Sequence, residues 1–323
     1  MKAKILRTDA ELHIIEQYLD ELSPIADVVT TASYDEDELA EAARDTDIIL
    51  TCYTNITSKV IEAATKLKGI VKYGVGTDAI DIETATERGV MVVNCPDYGS
   101  DTVADHAFAL MISLARKIPA IDRVMREKAW VWPRPEFFGV DLSGKTIGLV
   151  GFGRIGRAMS RRAEGFGMIR ITHDPYVKPE SVAEFGVEFV TLDELLERSD
   201  FVSIHCVLTA ETKGLIGQAA LRKMKGTAYL IDVSRGAIID EGAMVRALDE
   251  DRIAGAAFDV FADEPLAADY PLLGRDNVIL TPHLAWWTKE AFERVERDTL
   301  DGIREILAGE RPRNLKNVEV LDR

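Results

Sequence analysis

The sequence lacks the features that would place the protein in a membrane or an oxidising compartment. It contains only three cysteines, Cys52, Cys95 and Cys206, an odd number at spacings that suit neither a disulfide framework nor a zinc site. No apolar run approaches the roughly 20 residues that span a bilayer. The first residues, MKAKILRTDAELH, lack the apolar core of a signal peptide. We therefore expect a cytoplasmic protein with reduced thiols, no bound metal and no membrane partner.

Basic residues are also scarce. Lys and Arg together number 39 against 55 Asp and Glu, which gives a formal net charge of −16. A nucleic-acid surface requires clustered positive charge, so we expect no nucleic-acid partner and assign the acidity to solubility. The length of 323 residues exceeds that of a usual single domain, so two domains are expected.

Short apolar runs alternate with amphipathic stretches along the chain. In the first hundred residues AKILRT, DIILTCY, GIVKYGVG and VMVVNC are typical of buried strands, and DEDELAEAARD and SKVIEAATK have helical spacing. An apolar helix over residues 100–116 and an extended arm, VWPRPEFFGVDLSGK, precede a second series that starts at KTIGLVGFGRIG. This pattern predicts an α/β protein with two doubly wound parallel-sheet domains.

The last helix indicates how the domains divide. It is expected to be capped by Thr288 and to end at Gly309, and it could return to the first series of strands. We therefore predict a discontinuous domain of residues 1–99 plus 288–323 and a second domain of residues 100–287.

A glycine-rich turn follows the first strand of the second series. LVGFGRIG places Gly151, Gly153 and Gly156 at G-x-G-x-x-G spacing between an apolar strand and a helix. The first glycine permits a tight turn, the second lets the backbone approach a pyrophosphate, and the third lets the helix pack on the strand. The backbone N–H groups of Arg154 and Ile155 would face the phosphates. The turn predicts a dinucleotide site.

Asp174 ends the next strand, IRITHD, about 20 residues after the glycine-rich turn. A carboxylate at this place accepts hydrogen bonds from ribose hydroxyls and repels a 2′-phosphate, which favours NAD(H) over NADP(H). The alternative is that Asp174 is only a turn residue.

Polar side chains follow other strands of the second series, where ligands of open parallel sheets bind. Arg235 and His283 each follow a strand, and Glu264 stands before a proline. A histidine can donate a proton to a carbonyl oxygen, an arginine can hold a carboxylate, and a glutamate beside the imidazole favours its protonated form. This set suits hydride transfer between a nicotinamide and a carbonyl group.

The sequence resembles the D-isomer-specific 2-hydroxyacid dehydrogenase family. The resemblance lies in LVGFGRIG, LIDVSRGAIIDEGAMVRAL, AAFDVFADEP and TPHLAWWT, and in YGVGTDAIDIETATERGVMVVN of the first half. It implies a Rossmann domain inserted into a flavodoxin-like substrate domain. It also implies that Arg235 binds a 2-oxo acid, that His283 is the acid/base and that Glu264 pairs with His283. The expected reaction is the reversible reduction of a small 2-oxo acid to a (D)-2-hydroxy acid with NADH.

Further ligand contacts are implied by the same resemblance. The substrate carboxylate would meet backbone N–H groups of Val75 and Gly76, although glycines at positions 74 and 76 have the alternative role of permitting a turn. Substrate is expected between two domains that close about residues 100 and 287. Besides the glycine-rich turn and Asp174, the residues expected to contact the cofactor are Thr102, Cys206, Val207, Thr212, Val233, Ser234, Arg235, Asp259 and His283.

His283 is one of five histidines, and a lone histidine after a strand is more often structural. The accompanying arginine, glutamate and glycine-rich turn favour acid/base catalysis for His283. We expect structural roles for the other four, His13, His106, His173 and His205.

PHLAWWTKEA and RPRNLKN are most similar to the C-terminal-binding-protein branch, which carries a tryptophan three residues after the histidine, here Trp286. Trp286 would either wall the substrate pocket and favour an apolar or thioether side chain, or pack between domains; Trp287 is assigned to packing. The branch leaves a second hypothesis, an NAD(H)-sensing binding scaffold with little turnover. The acidic composition and the absence of a disordered tail do not favour it.

Other relatives fit less well. Formate dehydrogenases carry glutamine where Glu264 stands, phosphite dehydrogenases carry lysine near Val75, and long phosphoglycerate dehydrogenases continue past the position of Arg323. The apolar helix over residues 100–116 and the arm after it would expose more apolar surface than a monomer tolerates. The resemblance to the 2-hydroxyacid dehydrogenase family implies that this surface is a homodimer interface.

Overall fold

The computed structural model of the chain describes residues 2–12 and 16–322, and His13 lies outside them. The chain divides into two compact units, one of Met1–Gly99 with Thr288–Arg323 and the other of Ser100–Trp287. The first unit is therefore made of two segments separated by the whole of the second.

Strands and helices alternate along both units. The strands are β1 (Ala3–Arg7), β2 (Ala26–Thr30), β3 (Ile48–Thr51), β4 (Gly69–Lys72), β5 (Met91–Val93), β6 (Thr146–Val150), β7 (Ile169–His173), β8 (Glu188–Phe189), β9 (Phe201–Ile204), β10 (Tyr229–Asp232), β11 (Gly255–Phe258) and β12 (Val278–Leu280). The helices are α1 (Glu16–Leu19), α2 (Glu36–Ala43), α3 (Ser58–Ala63), α4 (Ile82–Glu87), α5 (Ser100–Ala115), α6 (Ile118–Lys128), α7 (Arg154–Gly165), α8 (Pro179–Ala183), α9 (Leu192–Arg198), α10 (Gln218–Lys223), α11 (Glu241–Asp249) and α12 (Lys289–Ala308).

The first unit is built on a parallel sheet with the strand order β2-β1-β3-β4-β5, the flavodoxin-like arrangement. Every residue of β3 and β4 is buried, as expected for central strands covered on both faces. Edge strand β2 buries only Ala26. Its sequence, ADVVT, therefore lacks the continuous apolar run that identified the central strands, and this strand was not predicted.

The second unit has a parallel sheet with the order β12-β11-β10-β9-β6-β7-β8, which contains the Rossmann arrangement about β6. Alternate residues of neighbouring strands enter two hydrophobic clusters, one with Val202 and Leu230 and the other with Phe201 and Ile231. The predicted fold class, two doubly wound parallel-sheet domains, is confirmed.

Helix α12 belongs to the first unit and begins and ends as predicted. The Thr288 hydroxyl accepts a hydrogen bond from the Ala291 N–H, and Gly309 closes the helix with a φ of 72°. The helix lies close to the sheet, because a Cβ atom on Gly69 of β4 would stand 2.6 Å from Ile306 Cδ1. Glycine at position 69 therefore allows α12 to approach β4.

The apolar helix differs from the prediction, whereas the arm after it exposes aromatic side chains as expected. Half of the residues of α5, including Phe108, Met111 and Leu114, are buried in the second unit's core, so its apolar side chains do not form an exposed surface. In the arm, Trp132 and Phe138 are 75 % and 76 % exposed. Helix α6, which the sequence analysis did not foresee, separates the two. In residues 2–12 and 16–322, no helix has the length and apolarity needed to cross a membrane.

Candidate active site

The glycine-rich turn lies at the carboxyl end of β6, the strand at the switch point of the second sheet. Gly151 has a φ of +97°, and a Cβ atom there would stand 2.6 Å from the Cys206 backbone nitrogen. A Cβ atom on Gly156 would stand 2.3 Å from the Gly151 oxygen. At Gly153, by contrast, a Cβ atom would meet no heavy atom of the described chain within 4 Å. The turn is therefore closely packed behind and open in front, at the start of α7, where a pyrophosphate would bind.

Asp174 follows β7 and faces the same turn. Its Oδ2 accepts a hydrogen bond from the Phe152 N–H at 2.8 Å, and its Oδ1 accepts one from the Tyr176 N–H at 2.9 Å. These bonds fix the carboxylate beside the glycine-rich turn, which is the position required of a ribose-binding acid.

The loop after β9 borders the turn on its other side. Val207 is 67 % exposed, and the Thr212 hydroxyl donates to its carbonyl oxygen at 2.7 Å. Burial raises the pKa of Cys206 to about 12, so its thiol is neutral. Burial also lowers the pKa of His205 to about 3, which keeps that imidazole uncharged at neutral pH and unsuited to acid/base work.

Arg235 extends from the end of β10, next to β9. The Ser234 hydroxyl donates to the Ile204 oxygen at 2.7 Å, and the Ser234 N–H donates to Asp232 Oδ1 at 2.8 Å. Arg235 Nη1 donates to the Ser234 oxygen at 2.7 Å, and Val233 is buried beside them. The turn thus holds a cation at the same sheet edge as the glycine-rich turn.

His283 and Glu264 form a hydrogen-bonded pair. His283 Nδ1 lies 2.8 Å from Glu264 Oε2, and Glu264 Oε1 accepts from the Phe261 N–H at 2.8 Å. The backbone of His283 is in the left-handed region, with a φ of 54°, and its N–H donates to the Asp259 oxygen at 2.8 Å. Because Nδ1 is bonded to the carboxylate, Nε2 is the nitrogen suited to proton transfer with a substrate.

The pKa of Glu264 is lowered by the groups around it. Burial acts to raise the pKa of the carboxyl, but the hydrogen bond and charge of His283, the Phe261 N–H and the Arg235 guanidinium together lower it below its usual value. Glu264 is therefore ionised at neutral pH, and its charge is stabilised by these partners. Since the folded pKa is depressed, this favourable interaction is present above the usual carboxyl range and is lost as the pH falls through the folded pKa.

Asp259 supports the loop that carries His283. Its side chain is fully buried; Oδ1 accepts from the Thr281 hydroxyl at 2.5 Å and the Leu284 N–H at 2.9 Å, and Oδ2 accepts from the Ala285 N–H at 2.8 Å. His106 Nε2 lies 3.0 Å from the Thr281 hydroxyl. These contacts to residues 281–285 were not foreseen, whereas the predicted contact of Asp259 with the cofactor stays a prediction.

The predicted carboxylate-binding loop belongs to the first unit. The Gly74 oxygen accepts from the Cys95 N–H at 2.9 Å, and the Val75 oxygen accepts from Asn94 Nδ2 at 2.7 Å. Both carbonyl groups are therefore bound within the unit, and Val75 is 44 % exposed. Whether its N–H and that of Gly76 bind substrate stays a prediction.

Lys72, which precedes this loop, was not among the residues predicted from the sequence. The residue is only 8 % exposed; its Nζ lies 5.8 Å from the centre of the Tyr53 ring, and its Cε would be 3.8 Å from a Cβ atom on Gly74. Among the described residues no carboxylate forms an ion pair with it. The sequence feature that could have identified it is a single lysine at the end of the apolar run GIVK. A buried charge at such a position is costly unless an opposite charge binds it.

Thr102 and the tryptophan pair, Trp286 and Trp287, lie in the second unit. Thr102 is in the first turn of α5 and is 8 % exposed. Trp286 is 6 % exposed and its ring stands edge-on to Trp287 with 4.8 Å between centroids, whereas Trp287 is 41 % exposed.

Comparisons with known proteins agree with this arrangement. The family model of the NAD-binding domain of D-isomer-specific 2-hydroxyacid dehydrogenases matches residues 108–285. A glyoxylate reductase of Korarchaeum cryptofilum is 43 % identical over 286 residues, which are 88 % of this chain and 86 % of that protein. A D-3-phosphoglycerate dehydrogenase of Methanocaldococcus jannaschii is 41 % identical over 317 residues, 98 % of this chain and 59 % of that longer protein.

A solved structure shows the same similarity. The acyclic imino acid reductase Bsp5 in complex with NADPH and D-Arg superposes with a TM-score of 0.85 and 31 % identity, covering 97 % of this chain and 99 % of that one. Since the family model spans more than half of the chain and the relatives match most of it, the protein belongs to the D-isomer-specific 2-hydroxyacid dehydrogenase family.

Proposed function

We propose that this member of the family reduces a small 2-oxo acid to a (D)-2-hydroxy acid with NADH, in a reversible reaction in which His283 is the acid/base. The observation that carries the proposal is the 2.8 Å contact between His283 Nδ1 and Glu264 Oε2, with the Arg235 charge close enough to lower the pKa of Glu264. A proton donor and a cation thus stand together at the sheet edge that also carries the glycine-rich turn.

Each residue has a distinct part in the proposed reaction. Bound NADH supplies the hydride that C2 of the substrate receives. Arg235 binds the substrate carboxylate and orients the carbonyl group, and His283 Nε2 donates its proton to the carbonyl oxygen. Glu264 holds the imidazolium in place for that step. In the oxidation direction His283 starts neutral and accepts the hydroxyl proton.

We also propose residues of the first unit as ligands of the substrate carboxylate. We assign the Val75 and Gly76 N–H groups to this anion on the family resemblance. The buried Lys72 ammonium beside the same loop supports an anionic ligand there, because a buried cation is costly without an opposite charge.

The proposal also specifies the preferred cofactor and the first substrate to test. Asp174, fixed beside the glycine-rich turn, supports NADH over NADPH because its carboxylate would repel a 2′-phosphate. The name glyoxylate reductase on a relative that matches most of this chain makes glyoxylate the first substrate to test. Trp286 as a selector of apolar side chains, the likeness to the C-terminal-binding-protein branch and a cytoplasmic location stay predictions.

The experiment that tests the proposal follows NADH absorbance in the presence of a panel of 2-oxo acids. The panel runs from glyoxylate and pyruvate to branched, thioether, aromatic and phosphorylated members, with NADPH in parallel. Turnover of one subset, faster with NADH, is the expected result. Tight NADH binding without turnover of any member would favour the alternative, an NAD(H)-sensing binding scaffold.

Replacing Glu264 with Gln tests the role of the paired carboxylate. Glutamine retains the size and the hydrogen-bonding oxygen but not the charge that favours the imidazolium. We expect the pH above which 2-oxo acid reduction declines to fall by about one unit, measured as kcat against pH at saturating NADH. An unchanged pH profile would show that Glu264 does not control the protonation of His283.

The exposed arm and the tryptophan that precedes it lead us to propose a homodimer. Trp130, Trp132 and Phe138 are 63 %, 75 % and 76 % exposed, and exposed aromatic clusters of this kind mark interaction surfaces. Light scattering is expected to give a mass twice the 35.8 kDa of one chain, and Trp132→Asp is expected to reduce it towards one chain. A wild-type mass of a single chain would contradict this assignment.

A further inference from the structure

A buried hydrogen bond joins the end of β4 to helix α12 within the first unit. The Tyr73 hydroxyl donates to Glu296 Oε1. Tyr73 is 2 % exposed and Glu296 is 3 % exposed. The Phe292 ring packs beside the pair, with its centroid 6.3 Å from that of Tyr73. Two polar side chains are therefore held in the interior, where such groups are costly unless they bind each other.

Tyr73 is the residue immediately before the loop assigned to the substrate carboxylate. Its N–H donates to the Thr51 oxygen at 2.8 Å, and the carbonyl groups of the next two residues, Gly74 and Val75, are bound by Cys95 and Asn94. Gly74 has a φ of 139°, a conformation that is open chiefly to glycine. The carbonyl groups of Gly74 and Val75 are therefore held by hydrogen bonds, and the Tyr73 side chain anchors the residue before the loop to α12.

The groups around the pair set its protonation. Burial raises the pKa of Glu296 to about 7; the Tyr73 hydroxyl opposes this shift, Glu21 adds to it and Arg7 opposes it. Burial raises the pKa of Tyr73 far above its usual value, with the charge of Glu296 next in effect, so the hydroxyl keeps its proton. The titratable or charged groups that face the pair are Glu21 from the turn of 3-10 helix after α1, Arg7 from β1, and Cys52 and Cys95 from the loops after β3 and β5.

We propose that Glu296 is a positioning residue for substrate binding: by accepting the Tyr73 hydroxyl, it fixes the backbone of residues 74–76 in the conformation that receives the substrate carboxylate. This inference rests on the proposed function, because that function assigns the carboxylate to the loop. The hydrogen bond is stronger when its acceptor is ionised. As the pH rises through 7, Glu296 loses its proton while Tyr73 keeps its own, and the loop is held more firmly.

The test compares Tyr73→Phe and Glu296→Gln with a matched control, Tyr18→Phe. The Tyr18 ring also packs on Phe292, with 5.4 Å between centroids, so the control removes a hydroxyl from the same aromatic cluster without touching the bond to Glu296. The measurements are KM and kcat for glyoxylate, the Kd of NADH, the melting temperature, and the Kd of oxalate for the protein with NADH bound. Oxalate is a dicarboxylate that is not reduced.

Tyr73→Phe is expected to raise KM for glyoxylate and the Kd of oxalate about tenfold, as for loss of a hydrogen bond to a charged group. The kcat and the Kd of NADH are expected to stay within about twofold, and Tyr18→Phe to match the wild type. Glu296→Gln, whose amide oxygen still accepts, should bind oxalate like the wild type near pH 6 and roughly threefold more weakly near pH 8.5.

Two results would overturn the inference. The first is an oxalate Kd that Tyr73→Phe leaves unchanged, together with a pH dependence of that Kd that Glu296→Gln leaves unchanged. The other is a parallel change in kcat, NADH Kd and melting temperature, which indicates general loss of structure. Because oxalate binding needs no turnover, it separates this inference from the proposed function, which fails if the wild-type protein reduces no 2-oxo acid.

Discussion

His283→Asn is expected to lower kcat for 2-oxo acid reduction roughly a thousandfold, as for removal of a general acid. The reason is that Nε2 of the imidazolium donates the proton that the carbonyl oxygen needs when C2 receives the hydride. Asparagine is the informative replacement because position 283 has a φ of 54°, a conformation that asparagine tolerates better than alanine. Its amide also retains a donor for Glu264 while losing the titrating group.

The measurement is single-turnover and steady-state reduction of glyoxylate, with NADH binding followed by fluorescence. NADH is expected to bind with an affinity close to that of the wild type. His173→Asn is the matched control, because His173 also ends a strand of the second sheet but its Nδ1 lies 3.1 Å from the Val190 oxygen. A His283→Asn variant that keeps more than about a tenth of the wild-type kcat would contradict the assignment of the general acid.

Arg235→Gln is expected to lower kcat/KM for 2-oxo acids by a factor of at least about a hundred. The guanidinium offers two parallel donors to a carboxylate, whereas the glutamine amide is uncharged and cannot reproduce this geometry. Most of the effect is expected in KM.

Arg235→Lys provides the comparison for this prediction. Lysine restores the charge but not the two-pronged geometry, so it should recover part of the activity lost in Arg235→Gln. The Kd of NADH in the absence of substrate should change little in either variant. Equal losses of NADH binding and of kcat/KM would instead place Arg235 at the cofactor alone.

The sequence predicted the fold where burial is complete. Strands such as β3 and β4 are buried along their whole length and appear as continuous apolar runs. Strand β8, with only two residues, and edge strand β2 left no such run. Helix α6 contains no buried residue among its eleven, so it does not contribute to the core pattern that identified the other elements.

Some features of the candidate site could be predicted from the sequence and others could not. The glycine-rich turn, Asp174 and the residues at strand ends were predictable, because their chemistry depends on residue type and local spacing. The hydrogen bonds of Asp259 to residues 281–285 and of Tyr73 to Glu296 were not. Tyr73 and Glu296 are 223 positions apart, and no local pattern in a sequence indicates that two distant polar residues share one buried hydrogen bond.

The most direct test of the account is to follow the hydride itself. The wild-type protein is incubated with glyoxylate, or with the most reactive member of the panel, and with NADH in which both hydrogens at C4 of the nicotinamide are deuterium. The product is analysed by mass spectrometry and chiral chromatography. The account predicts a 2-hydroxy acid with deuterium at C2, in the D configuration wherever C2 is a stereocentre. A product without deuterium at C2, or of the L configuration, would contradict it.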